Sequence, residues 1–156
     1  MDRIIKFRGK PIKTNEWVYG NYIFIENDIF QHKIIESTSL ILDIDIKTLG
    51  QFTGLYDKNG KEIYEGDIIL TQPLKNRPFS QKAKSKRLRG IVKYNIQCGK
   101  NFIDEPDKIK YWGAEWDIEI IDKKDYEKYN NCGWGLFFDC EVIGNIYDNK
   151  NLLEEK

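Results

Sequence analysis

The sequence predicts a mostly β fold: a bent, partly closed β-barrel with an N-terminal β subdomain and one short helix. Three observations carry that expectation. Apolar and polar residues alternate with period two in several stretches, as in Leu42, Ile44 and Ile46 against Asp43, Asp45 and Lys47. The stretch QFTGLYDKNGKEIYEGDIIL, Gln51 to Leu70, places an Asn-Gly pair and then an isolated glycine between strand-like runs. Aromatic and β-branched residues, which suit a pleated surface, are dense throughout, and only one segment suits a helix.

Taken in order, RIIKF (Arg3 to Phe7) is a short apolar strand candidate. EWVYGNYIFI (Glu16 to Ile25) and DIFQHKII form a hairpin about Glu26-Asn27, since Asn tolerates positive φ. SLILDIDIKTLG follows as a half-buried strand, and QFTGLY as another. Asp57, Asn59 and Gly60 then make a turn: Asn-Gly supplies the positive φ, and the Asp57 carboxylate can accept from turn N–H groups. Tyr56 and Tyr64 are expected to meet near this hairpin. Gly66-Asp67 interrupts the returning strand, and a glycine there marks a bend that lets the chain leave one sheet for another. Asp67 can bond backbone N–H groups at the bend, and Gly54 suits a close approach of a neighbouring segment. Thr71 to Gly90 has two prolines, seven cations and no apolar period, which reads as a long basic loop. GIVKYNI is a strand, and WGAEWDIEIID alternates again, with Trp116, Ile118 and Ile120 on one side. Asp122 to Asn131 is the helix candidate, N-capped by Asp122. WGLFFDCEVIGNIYD reads as a hairpin turning near Asp139, and the tail as one helical turn. The parts assemble as an N-terminal β subdomain, 1–60, packed on a barrel-like one, 61–156, that carries basic loop 71–90. Together they make one compact unit.

Composition narrows the function classes. The chain has 156 residues, 40% of them hydrophobic and 13% aromatic, so it can bury a core. No apolar run approaches the roughly 18 residues of a membrane span, and MDRIIKFRGK lacks a secretory apolar region. Both point to the cytoplasm. Cys98, Cys132 and Cys140 form no CxxC pair and fit small core residues in a reducing compartment. His32 is the single histidine, and no nucleophile motif stands near it, so no catalytic residue is assigned. Asp57, Glu62, Glu65 and Asp67 match no metal-binding spacing; turn bonds and lysine pairs explain them, and no metal or cofactor is expected.

Charge is zero overall but uneven. Residues 71–95 hold 8 Lys/Arg and no acid, between flanks with 11 and 14 acids. Lys82, Lys84, Lys86, Arg87 and Arg89 are therefore candidate nucleic-acid contacts, with Phe79 as a stacking group. The four tryptophans and their aromatic companions suit a core, or else an interface.

KFRGK…EWVYG, then GQFTGLYDKNGKEIYEGDI, then EVIGNIYDNKNLLEE, in that order and spacing, resemble the YopX family of phage and prophage proteins. Thr71 to Leu136 matches loosely, and the Lys75 to Arg89 segment is longer than the family pattern. The resemblance implies a small, mostly β protein of phage or prophage origin working in a bacterial cytoplasm, with no active site to carry over. The expected role is a non-enzymatic accessory protein that binds nucleic acid or a phage or host protein. The alternative is a homo-oligomeric structural or assembly protein without nucleic-acid contact.

Overall fold

The computed structural model describes residues 4–26, 31–37, 40–71, 87–101, 105–121 and 139–154, with 37, 96–101 and 105–114 described by backbone alone. Among the described residues there are nine strands: β1 (Phe7–Pro11), β2 (Val18–Ile25), β3 (Gln31–Ser37), β4 (Leu40–Tyr56), β5 (Glu62–Tyr64), β6 (Asp67–Thr71), β7 (Leu88–Asn101), β8 (Glu105–Ile120) and β9 (Glu141–Asn145). A 3-10 turn, Lys150–Leu153, follows, as the tail predicts. The chain is mostly β, and the strand pairings are antiparallel.

The first sheet runs β1-β2-β3-β4-β5, and β1 also pairs with β4. Hydrogen bonding among β1–β4 is therefore partly ring-like. Inside it lie Val18, Ile34 and Ile44, with Tyr22, Leu42 and Leu49 against them. The second sheet is ordered β8-β7-β6-β9. Its core gathers Ile69, Leu88, Val92, Trp116, Ile118, Ile120, Cys140 and Val142, and Ile63 of β5 joins it from the first sheet. The alternation in β8 thus buries the three residues expected.

The block from Asp57 to Asp67 joins the two sheets. Gly60 N–H donates to the Asp57 carbonyl at 2.9 Å, closing the turn between β4 and β5. Glu65-Gly66 then turns the chain from β5, in one sheet, into β6, in the other. Gly60 and Gly66 have φ of 79° and 80°, a region costly for any residue with a Cβ. Gly66 is held from both sides: its N–H donates to the Val92 carbonyl at 2.9 Å, and its carbonyl accepts from Ile146 N–H at 3.0 Å.

Several elements differ from the sequence reading. The first strand is Phe7–Pro11; Ile4 and Ile5, read as part of it, are exposed. Phe7 to Pro11 wins because it pairs with β2 and β4 at once. The two strands expected on either side of Gly50 are one, β4. It carries a bulge: Arg8 stands opposite Gly50 but Lys10 opposite Asp45. The Asp45 carboxylate accepts from Lys47 N–H at 3.0 Å, and the Thr48 hydroxyl donates to the Asp45 carbonyl at 2.7 Å. Local side-chain bonds thus loop the chain out and shift the alternation. Ile46 is exposed as a result, and Thr48 is buried. Gly54 makes no close approach; a Cβ there would meet nothing, and its φ of 84° is what requires glycine. Of the basic loop 71–90, Thr71 belongs to β6 and Leu88, Arg89 and Gly90 to β7. Tyr56 and Tyr64 are linked through Phe52, whose ring lies 5.5 Å from one and 5.4 Å from the other. The helix expected at Asp122 to Asn131, the first half of the hairpin near Asp139, and the Glu26-Asn27 turn beyond Glu26 lie outside the described residues.

Alanine at Gly66 would meet the Tyr147 ring at 3.2 Å, while at Gly60 it would meet open space. Both substitutions carry the left-handed penalty of roughly 1–2 kcal/mol. Urea denaturation should show Gly66→Ala losing more than Gly60→Ala, by about 1 kcal/mol of overpacking. Equal losses would mean that the Tyr147 contact costs nothing to move.

Candidate functional site

β1 brings Arg8 to the place where the two sheets meet. Its side chain is nearly covered, and its Nη2 lies 2.7 Å from Oδ1 of Asp67, itself 98% buried by side-chain area. Nη2 also donates to the Glu65 carbonyl at 3.1 Å. The guanidinium carbon sits 4.6 Å from the Trp17 ring and 4.9 Å from the Tyr64 ring, so aromatic faces take the place of water around the charge. Asp67 accepts a second bond, from Tyr64 N–H at 2.8 Å. Burial pushes the Asp67 carboxyl upward, with Arg8 and that N–H pulling against it.

A second pair lies beside the first. Lys10 Nζ bonds Asp148, and it lies 5.2 Å from the Trp17 ring centre. Trp17 Nε1–H donates to Asp148 Oδ2 at 2.7 Å, and Asn145 Nδ2 donates to the same oxygen at 3.0 Å. Lys10, then Trp17 and Asn145, hold the Asp148 carboxyl down to about 2. The Trp17 ring also packs on Tyr147, centroids 5.6 Å apart. A third pair, Lys6 with Glu62 at 2.8 Å, takes in the Tyr64 hydroxyl, which donates to Glu62 Oε2 at 2.6 Å. Glu62 thus gains the lysine pair its sequence position invited.

A cavity of about 350 Å³ opens over this junction. Arg8, Trp17, Tyr19, Lys61, Asn145 and Asn149 are among its lining. Each sequence block that carries the family resemblance contributes: Lys6, Arg8, Lys10, Trp17 and Tyr19 from the first, Tyr64 and Asp67 from the second, Asn145 and Asp148 from the third. Sequence reasoning assigned these blocks no site, because their members are scattered over more than 140 positions. The signal was there: three charged or aromatic clusters, each beside a glycine.

The residues singled out earlier fall in different places. Asp57 Oδ1 accepts from Asn59 N–H at 2.8 Å and Lys61 N–H at 2.9 Å, and its Oδ2 accepts from Val142 N–H at 3.0 Å, across to the second sheet. Burial works to raise its carboxyl, but these three bonds leave it lowered. Lys82, Lys84 and Lys86 lie outside the described residues. Arg87 is exposed and lies 3.6 Å from Glu141, which also pairs with Lys58 at 2.5 Å. Arg89 stands in β7 and donates to the Leu152 carbonyl at 2.8 Å. Cys140 is a buried thiol pushed up to about 11 by its burial, which makes it a poor nucleophile. His32 Nδ1 lies 2.7 Å from the Tyr22 hydroxyl, with the rings stacked. Among the described residues no group of His, Cys, Asp and Glu is placed to hold a metal, and no helix is long and apolar enough to cross a membrane.

Fold and junction define a class: an antiparallel β protein in which a partly ring-like sheet and an open one are joined across a buried arginine–aspartate pair. The chain belongs to the YopX family, whose model, described as YopX protein, matches residues 6–154. A crystal structure of protein EF1440 from Enterococcus faecalis is similar at 22% identity, covering 98% of this chain and 100% of that one, with a TM-score of 0.48. No curated protein matches the chain.

Two outcomes test the junction. Asp67→Ala leaves a buried guanidinium without its partner and should cost about 3–5 kcal/mol by chemical denaturation, whereas Arg8→Met with Asp67→Leu should cost much less. Asp148 supplies the pH test. Its folded pKa lies below the ordinary carboxylate value, so its contribution is present above about pH 4 and is lost as pH falls toward 2. Thermal melts should show the wild type losing more stability across that window than Asp148→Asn. Parallel curves would remove Asp148 as an acid-sensitive anchor.

Proposed function

We propose that this YopX-family protein is a non-enzymatic binding module, a phage or prophage accessory protein that engages a protein partner in the cytoplasm of the bacterial host. The observation that supports this reading is a division of labour among side chains. The charged groups at the junction are engaged with one another. Several large apolar side chains are left exposed, and three of them meet in one place: Ile12, Ile41 and Ile46 are 71%, 55% and 42% exposed. They line a groove of about 990 Å³ at one end of β1–β4, flanked by Lys13, Lys33 and Asp43. A groove of this size is at the upper limit for small-molecule sites, and an exposed apolar patch with a polar rim is typical of a surface that meets another protein.

A second reading has its own observation. Residues 72–86 carry Lys75, Arg77, Lys82, Lys84 and Lys86 without an acid, a composition that suits contact with a phosphate backbone. Two assays separate the readings. A hydrophobic dye should bind the wild type and lose most of its signal with Ile41→Asp and Ile46→Asp together; unchanged dye binding removes the groove. A single-stranded DNA oligonucleotide at about 50 mM salt should be retained only if the second reading holds, and then lost on Lys82→Ala, Lys84→Ala and Lys86→Ala.

A further inference from the structure

The cavity over the junction is one-sided in its hydrogen bonding. The side-chain acceptors around it are engaged. Asp67 holds Arg8 and accepts from Tyr64 N–H. Asp148 takes Lys10 on one oxygen, and Trp17 and Asn145 on the other. Asn145 Oδ1 accepts from the N–H groups of Tyr147 and Asp148, both at 2.9 Å. Asn149 Oδ1 accepts from Asn145 N–H at 3.0 Å. Asp57, whose carboxyl feels the Lys61 charge, is turned toward three backbone amides.

The donors are not engaged to the same degree. Both contacts that hold Arg8 use Nη2, and its Nε is buried without a partner among the described residues. A buried donor in a native structure ordinarily has a partner. The bond to Asn145 fixes which way the Asn149 amide is turned and leaves Nδ2 as a donor. The Lys61 backbone N–H is held by Asp57, but its ammonium pairs with no carboxylate among the described residues.

The topology gathers these three donors. β1 carries Arg8 in from the first sheet, and the pairing of Asp67 with Asn145 sets the end of β9 and Asn149 beside it. Asp57 anchors the backbone of Lys61. Trp17 and Tyr19 line the same cavity. The Trp17 ring is fixed there by its bond to Asp148 and its packing on Tyr147.

We infer that this cavity binds a small organic oxyanion, a carboxylate or a phosphate ester, with its charged oxygens at Arg8, Lys61 and Asn149 and the rest of the molecule along Trp17 and Tyr19. An entering oxyanion meets donors, because the neighbouring carboxylates already face their own partners. Arginine offers several N–H groups in a planar fork suited to such oxygens, and lysine adds a compact charge. The volume of about 350 Å³ lies near the lower end for small-molecule sites, which suits a metabolite-sized ligand. This site is separate from the groove of Ile12, Ile41 and Ile46, and the reading of that groove does not depend on it.

Two-dimensional nitrogen-15 NMR of the full chain tests the site, with sodium benzoate and phenyl phosphate titrated separately against sodium chloride at equal ionic strength. The Trp17 indole N–H, identified by its loss in Trp17→Phe, and the Asn149 side-chain amide should shift saturably with at least one of the two anions and not with chloride. The anion that binds more tightly assigns the headgroup. Lys61→Ala should weaken binding at least tenfold, since this exposed side chain can be removed without touching the backbone bond to Asp57. Asn149→Asp keeps the acceptor for Asn145 N–H, replaces the donor by a carboxylate and should abolish binding. No saturable shift with either anion up to about 20 mM, well above the range of a specific ligand, overturns the site. So does binding that Lys61→Ala and Asn149→Asp both leave unchanged, and either result leaves the groove reading standing.

Discussion

The buried pair of Arg8 and Asp67 is the constraint around which the rest is arranged. Two charges taken from water cost several kcal/mol each unless their geometry and remaining hydrogen bonds compensate. Here the compensation comes from two separated parts of the chain. Glu65 gives its carbonyl, Tyr64 gives an N–H to the aspartate, and Trp17 and Tyr64 cover the guanidinium. The pair forms well only when β1, the β5–β6 turn and the Trp17 segment are all in place. It therefore joins the two sheets at one specific place.

That specificity matters because the two apolar clusters are unequal. Among the described residues, the ring of β1–β4 encloses a small buried cluster about Val18, Ile34 and Ile44, whereas the second sheet and Ile63 hold the larger one. A short β5 shared by both accounts for this: it lends Ile63 to the larger core and its backbone to the smaller sheet. The polar junction lies beside it. The Asp148 bonds to Lys10 and Trp17 then tie the segment after β9 across β1, so the chain's late part braces its early part.

The fold was legible in the sequence wherever a local rule was sufficient. Asn59-Gly60 reads as a turn, Gly66 reads as a change of sheet, and Trp116, Ile118 and Ile120 read as an inward face, because each depends only on neighbours along the chain. The bulge in β4 was not legible. Leu42, Ile44 and Ile46 alternate without a break, and only the bonds of Asp45 and Thr48 interrupt the strand. The first strand was misread for a related reason: Ile4 and Ile5 are apolar, but Phe7 to Pro11 has partners on both sides. The junction was hidden most thoroughly. Arg8, Asp67 and Asp148 are unremarkable one by one, and their association is a property of topology.

Asp57 shows how far one side chain can carry such an association. Its two oxygens serve amides that lie four residues and eighty-five residues away. The near bonds shape a reversal; the far one fastens β9. Because a single carboxylate answers to both, the Val142 amide can lose its partner when the 57–61 reversal opens, and a local motif becomes the hinge pin of a long-range closure.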